Sequence, residues 1–274
     1  MNAASRPLVA SDLDRTLIYS RGALAAFGDD GAPLVAVERR AGEDASWMLA
    51  GAAAEFAELH RHAVVVPVTT RTPEQWRRIR LPGPAPRYAV AANGGVLLID
   101  GVPDPAWGRV VAAALARAAP LGEIWAQMGR VCRPNWTSKL RNASGLFCYA
   151  VLHRGQLPEG FLAEASAWAE SRGWRLSLQG RKLYWVPRTL TKSAAVAEVA
   201  RRCAASTVFA AGDSLLDADL LEHADAGILA RHGELAASGW RAGHVRVTAC
   251  EGARAGAEIV SWFRANVTMQ QRTQ

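Results

Sequence analysis

Short apolar runs punctuate the chain, and each stops at residues suited to a tight turn. Residues 7–13 close on carboxylates, residues 63–68 (AVVVPV) carry Pro67 near their end, residues 88–92 stop at Asn93-Gly94-Gly95, residues 207–211 run into Gly212-Asp213, and residues 226–229 form a further short run. Runs of this length between turn residues are expected as buried strands, and a proline is tolerated at a strand's end. Helical spacing fills the gaps. Trp47, Leu49, Phe56 and Leu59 give residues 44–59 the spacing of a helix, behind an acidic start suited to a helix N-terminus. Thr72-Pro73-Glu74 opens a second helix with a capping hydroxyl and a proline at the first helical position, and residues 191–203 and 214–223 are predicted helices.

This alternation of buried strands and helices predicts an α/β fold with a doubly wound, mostly parallel sheet, whose ligands sit at the C-terminal ends of the strands. The stretch 96–186 breaks the alternation. Helix-like pieces (105–119 and 161–172) mix there with strand-like pieces (146–152, 174–178 and 182–186), and Gln179-Gly180-Arg181 has the chemistry of a hairpin turn. The expected organisation is a core in two parts, 1–95 and 187–266, an inserted α+β domain at 96–186, and a flexible tail at 267–274 ending MQQRTQ.

Composition changes this picture little. Half of the 274 residues are apolar, enough for a sizeable core and a second smaller unit. The formal charge of +7 is spread over helix-like segments, its densest cluster being Arg77, Arg78 and Arg80. Without a basic run interleaved with aromatics it reads as solvated helix faces and favours a small anionic partner over nucleic acid. Cys132, Cys148, Cys203 and Cys250 lack the short paired spacing of a zinc or redox site, so buried thiols in a reducing compartment are expected. The first residues pass directly into a strand-like run and no window is apolar enough to cross a membrane, so the expected location is cytoplasmic, without a membrane partner. The six histidines show no paired ligand spacing and read as structural or exposed.

The polar residues at the strand ends carry the candidate chemistry. In an extended segment Asp12 and Asp14 point to one side, so two carboxylates would converge at the end of the first strand, tolerable if a divalent cation neutralises them. Gly212-Asp213-Ser214-Leu215-Leu216-Asp217 follows another strand, and its glycine permits a tight turn that brings Asp213 to the same crevice. Either motif alone is explained as well by turn and cap chemistry, but two acidic strand ends in one parallel sheet are not. Thr69, Thr70 and Arg71 follow the second strand, where hydroxyls and backbone N–H groups can hold phosphate oxygens. Lys192 begins a helix, an unfavourable place for a cation unless an anion lies near.

These four segments, DLDRT, VTTR, TKSAAV and GDSLLD, resemble in order and spacing the four motifs of the haloacid-dehalogenase superfamily, and the insertion after Asn93-Gly94-Gly95 resembles its Cof-like and sucrose-phosphatase-like branch. The resemblance implies a Rossmann-like core with a cap between the second and third motifs. It implies a magnesium-dependent phosphatase acting on a small phosphorylated metabolite, a sugar phosphate by analogy. Asp12 would be nucleophile and metal ligand, Asp14 the general acid and base at the metal-binding strand end, Thr69, Thr70 and Lys192 the phosphate holders, and Asp213 and Asp217 further metal residues. Asp14 argues against dehalogenation, because a halide needs no proton to leave. Arg15 departs from the small residue usual in relatives. Arg15, Arg71 and Asn93 in the core and Arg133, Lys139 and Arg181 in the insertion are the candidates to meet the rest of the substrate. A phosphomutase using the same intermediate and a catalytically silent phosphate-binding module are the alternatives.

Overall fold

The computed structural model describes residues 6–28 and 31–273. In chain order its elements are β1 (Leu8–Ser11), β2 (Tyr19–Ser20), α1 (Arg21–Phe27), β3 (Leu34–Arg40), β4 (Glu43–Leu49), α2 (Ala50–His62), β5 (Val64–Pro67), α3 (Pro73–Trp76), β6 (Tyr88–Ala91), β7 (Val96–Ile99) and β8 (Val102–Pro103). Then come α4 (Pro105–Leu115), α5 (Leu121–Val131), β9 (Thr137–Ala143), β10 (Phe147–Leu152), α6 (Phe161–Glu170), β11 (Trp174–Gln179) and β12 (Lys182–Pro187). The chain closes with α7 (Lys192–Cys203), β13 (Val208–Gly212), α8 (Ala218–Glu222), β14 (Ala226–Leu229), α9 (Glu234–Ala237), β15 (Val245–Val247) and α10 (Gly252–Thr273).

Two compact units result, Met1–Pro103 with Lys192–Gln274, and Asp104–Thr191. In the first, a five-stranded sheet of order β15-β14-β13-β1-β5 is parallel throughout. Its strands are the short apolar runs of the sequence, and β1 is buried along its whole length, as a central parallel strand must be. Val9, Val65, Phe209 and Ile228 share one core cluster with Phe56 and Leu59 of α2 and Ile259 and Phe263 of α10. Leu220 and Leu221 of α8, which packs on β13, are buried outside that cluster, so helices serve both faces.

Three expectations from sequence change. The first half of 44–59 is strand β4, paired antiparallel with β3 through a turn in which Ala41 and Gly42 both have positive φ, the geometry of a two-residue hairpin turn. The helix begins only at Ala50, and Glu43 and Asp44 open a strand rather than cap a helix. Residues 96–103 stay with the first unit, because β7 turns back antiparallel on β6 and β8 on β7, so the inserted unit starts at Asp104. Residues 267–273 continue helix α10 rather than forming a loose tail, with Val267 buried in the core cluster.

The inserted unit is an antiparallel sheet of order β11-β12-β10-β9 with helices α4, α5 and α6. Its β11–β12 hairpin turns at Gly180 and Arg181, Gln179 pairing with Lys182 and Gly180 having positive φ, as the turn chemistry predicted. Among the described residues no helix is long and apolar enough to cross a membrane.

Candidate active site

The acidic strand ends meet because their strands are neighbours. β1 and β13 run parallel with Ser11 opposite Ala211, and the Asp12 N–H continues the ladder to the Ala211 carbonyl at 2.9 Å. Asp12, Asp213 and Asp217 are all buried, and each offers an oxygen within 4.8 Å of the others. Gly212 makes the close approach possible, since a Cβ there would collide with the Asp217 side chain.

Lys192 answers this acidic cluster. Its side chain is fully buried, and Nζ lies 2.5 Å from Oδ1 of both Asp12 and Asp217. Two carboxylates thus offset the unfavourable placement of a cation at the start of α7, whose first turn is also tied by the Ser193 N–H donating to Asp219 Oδ2 at 2.9 Å. Asp217 differs in duty from the other two. Its Oδ2 accepts from the Asp213 N–H (3.1 Å), the Ser214 N–H (2.9 Å) and the Ser214 hydroxyl (2.7 Å), while its Oδ1 holds Lys192. With both oxygens engaged, its role is to shape the turn and anchor the ammonium.

The cluster carries more negative charge than its ammonium cancels. Burial pushes the Asp12 carboxyl up to about 7, with repulsion from Asp217 and Asp14 adding to the effect and Lys192 opposing it. Asp213 is raised well above the usual carboxylate range, first by burial and then by Asp12 and Asp217. Asp12 and Asp213, with Asp217 beside them, offer hard carboxylate oxygens that fit a divalent cation.

Asp14 lies apart from this trio. β1 ends at Ser11, so the alternation that would align it with Asp12 lapses before it is reached. Both of its oxygens are taken by the Arg71 fork, from Nε at 2.8 Å and Nη2 at 2.7 Å, and its side chain is 43% exposed. The carboxylate of Asp14 is therefore not part of the metal-type cluster that the sequence placed it in.

Thr69 is buried at the end of β5, its N–H donating to the Val90 carbonyl (2.8 Å) and its Oγ accepting the Arg71 N–H (3.1 Å). Asn93, buried and left-handed after β6, donates its N–H to the Thr69 carbonyl at 2.9 Å, which fixes the turn from the other side. Thr70 is half-buried beside it, and the Thr72 capping box starts α3 as the sequence implied.

Arg15 also sits in the left-handed region, at φ 66°, where a small residue is easier to place. Its guanidinium lies 3.7 Å from Asp213 Oδ2 and 3.9 Å from Glu234 Oε1, donates to the His232 carbonyl (3.0 Å) and stacks over Phe27. His232 accepts the Gly252 N–H at Nδ1 (3.1 Å), so its Nε2 carries the proton and donates to the Arg15 carbonyl (2.9 Å). No local pattern pointed to His232, a single histidine without a ligand spacing, or to Glu38, which binds the far side of Arg71. In the inserted unit Arg133, Lys139 and Arg181 are exposed, and Arg133 lines a cavity of about 430 Å³ with Arg130, Trp168 and Trp185.

No protein-family model and no curated protein matches the sequence. Solved structures do. The sucrose-phosphatase of Synechocystis sp. PCC6803, solved with sucrose and phosphate, superposes with a TM-score of 0.67 at 15% identity, over 94% of this chain and 98% of that one. This chain has the haloacid-dehalogenase fold. A HAD/COF-like hydrolase from Plasmodium vivax (TM-score 0.62, 12% identity, 98% of each chain) and the HAD subclass IIB sugar phosphatase BT4131 (TM-score 0.57, 12% identity, 95% of this chain and 99% of that one) share it. Within the haloacid-dehalogenase fold the four motif segments fall at the adjoining ends of β1, β5 and β13 and at the start of α7.

Proposed function

We propose that the chain is a magnesium-dependent phosphatase that hydrolyses a small phosphomonoester through a phosphoaspartate at Asp12. The observation that carries this reading is the joint burial of Asp12, Asp213 and Asp217 at the ends of adjacent parallel strands, with Lys192 joining Asp12 to Asp217. Such a cluster is costly for stability alone and suits charge that arrives with a ligand.

An Asp12 carboxylate oxygen forms a bond to phosphorus while the ester P–O bond breaks, its electron pair going to the leaving oxygen, which takes a proton from Asp14. Water, giving its proton to Asp14, then attacks the phosphoaspartate, and the bond from phosphorus to Asp12 breaks to release phosphate. Lys192 steadies the charge on Asp12 and on the phosphoryl oxygens, and Thr69, with Thr70 and the N–H groups of its turn, receives those oxygens. Magnesium held by Asp12 and Asp213, with Asp217 shaping their turn, would offset the remaining negative charge. The substrate class favoured is a sugar phosphate or a similarly small metabolite, in line with the sucrose and phosphate bound by the Synechocystis neighbour.

Asp12→Asn is expected to lower turnover of a responsive phosphomonoester by at least about 10⁴-fold while leaving the thermal melt of the chain cooperative. Chelation should abolish wild-type turnover and added magnesium restore it. Hydrolysis by the purified Asp12→Asn chain at rates near wild type would end this reading.

A further inference from the structure

Arg71 spends all three of its guanidinium nitrogens on two carboxylates. Nε and Nη2 grip Asp14, and Nη1 reaches Glu38 Oε1 at 2.7 Å. Glu38 is 6% exposed although it lies in the β3–β4 hairpin, and its other oxygen accepts the Ser46 hydroxyl at 2.7 Å. The β3–β4 register shifts on either side of Glu38, and the strand there bridges to Ile79, with Val37 accepting the Arg80 N–H at 2.7 Å. A bulge of this kind re-aims one side chain, and here it turns a carboxylate inward toward Arg71.

We propose that Glu38 and Arg71 are positioning residues that hold the Asp14 carboxylate in the orientation from which it protonates the leaving group. This rests on the phosphatase reading and adds to it Glu38, which no motif segment covers. Asp14 lies past the end of β1 with a side chain 43% exposed, so its own strand does not fix its rotamer. A planar fork on both oxygens does, and only arginine can provide it. When Asp14 carries a proton it accepts less from the fork, and the pair with Glu38 keeps the guanidinium from following or swinging into water. Glu38 thus acts on Asp14 through Arg71 and touches no reacting atom.

The test is a comparison of leaving groups. An alkyl ester such as glycerol phosphate needs its leaving oxygen protonated, whereas dinitrophenyl phosphate releases a stable phenolate without help. Since kcat/KM reports only through the first irreversible step, Glu38→Gln is expected to lower kcat/KM about tenfold for glycerol phosphate, mainly in kcat, and less than about twofold for the dinitrophenyl ester. Arg71→Lys, which removes the fork, should show the same selectivity at about a hundredfold. Ser46→Ala should show it more weakly and serves if Glu38→Gln does not fold. Equal losses on both esters, or no loss on either, overturn the inference while leaving the phosphatase reading in place. A folded wild-type chain that turns over neither ester with magnesium overturns both.

Discussion

Two sides of the same crevice treat charge in opposite ways. On the Asp12 side Asp12 and Asp217 share the Lys192 ammonium, Asp213 meets the Arg15 guanidinium at 3.7 Å, and burial raises Asp12 and Asp213. On the Asp14 side charges are matched two against two: Arg71 lies between Asp14 and Glu38, Arg78 stands 3.9 Å from Glu38, and against the burial that would raise it the Arg71 and Ser46 hydrogen bonds hold Glu38 below the usual carboxylate range. The matched side is complete as it stands. On the unmatched side three carboxylates face Lys192 and the longer Arg15 contact, so it stands ready for more positive charge. On the proposed function, this difference in charge balance separates the part of the site that would bind from the part that would position.

The sharpest way to break this contrast is to remove the Lys192 ammonium. Lys192→Met leaves Asp12 and Asp217 facing each other in a dry site, and breaking such a buried pair costs about 3–5 kcal/mol. We predict a fall in thermal stability of that order without magnesium, partial recovery with it, and turnover reduced at least about 10²-fold. A variant that melts with wild type in the absence of divalent ions contradicts the account of the unmatched side.

Much of this was legible in the chain of letters, for physical reasons. Buried strands stand out as short apolar runs ended by turn residues, so β1, β13 and β14 inside the parallel sheet, β5 at its edge and β6 of the antiparallel sheet were all legible, and the acidic ends of β1 and β13 announce the crevice. The hairpin β3–β4 did not stand out. Its turn is Ala41-Gly42 rather than a strong hairpin pair, its register is interrupted at Glu38, and Trp47 and Leu49 happen to continue the spacing of the helix that follows. Asp14 was misplaced because period-two reasoning was carried past the end of its strand. Contacts across long sequence separations, such as Arg71 with Glu38 and His232 with Arg15, leave no local trace at all.

His232 offers a milder probe, beside Arg15 on the unmatched side. Burial holds its imidazole down to about 4, and its neutral form bridges the Gly252 N–H and the Arg15 carbonyl. A depressed pKa means that the unfolded chain binds the proton more readily. The stabilisation is thus complete above the unfolded value of 6.5 and is lost as pH falls from there toward about 4. Between neutrality and pH 5 this amounts to on the order of 2 kcal/mol. Denaturant melts of wild type and His232→Gln across that window should converge as pH falls. Parallel curves would show that His232 contributes nothing through its protonation.

The smallest effect tests whether the unmatched side truly waits for a cation. With Asp12 raised to about 7, part of the apo population carries a proton where the metal must bind, so magnesium has to displace it. Affinity should therefore rise with pH, by about tenfold between pH 6 and pH 8, and binding should release protons. Titration calorimetry in buffers of different ionisation enthalpy reads that release directly. Asp213, itself raised well above the usual range, must also give up its proton to the metal, so in Asp213→Asn the metal should bind more weakly and release fewer protons, while the apo chain, relieved of a buried carboxyl beside Asp12 and Asp217, gains stability. Pairing a weaker metal site with a more stable apo protein is the signature of charge held for a ligand, and a variant that loses stability together with affinity would assign these carboxylates to the scaffold instead.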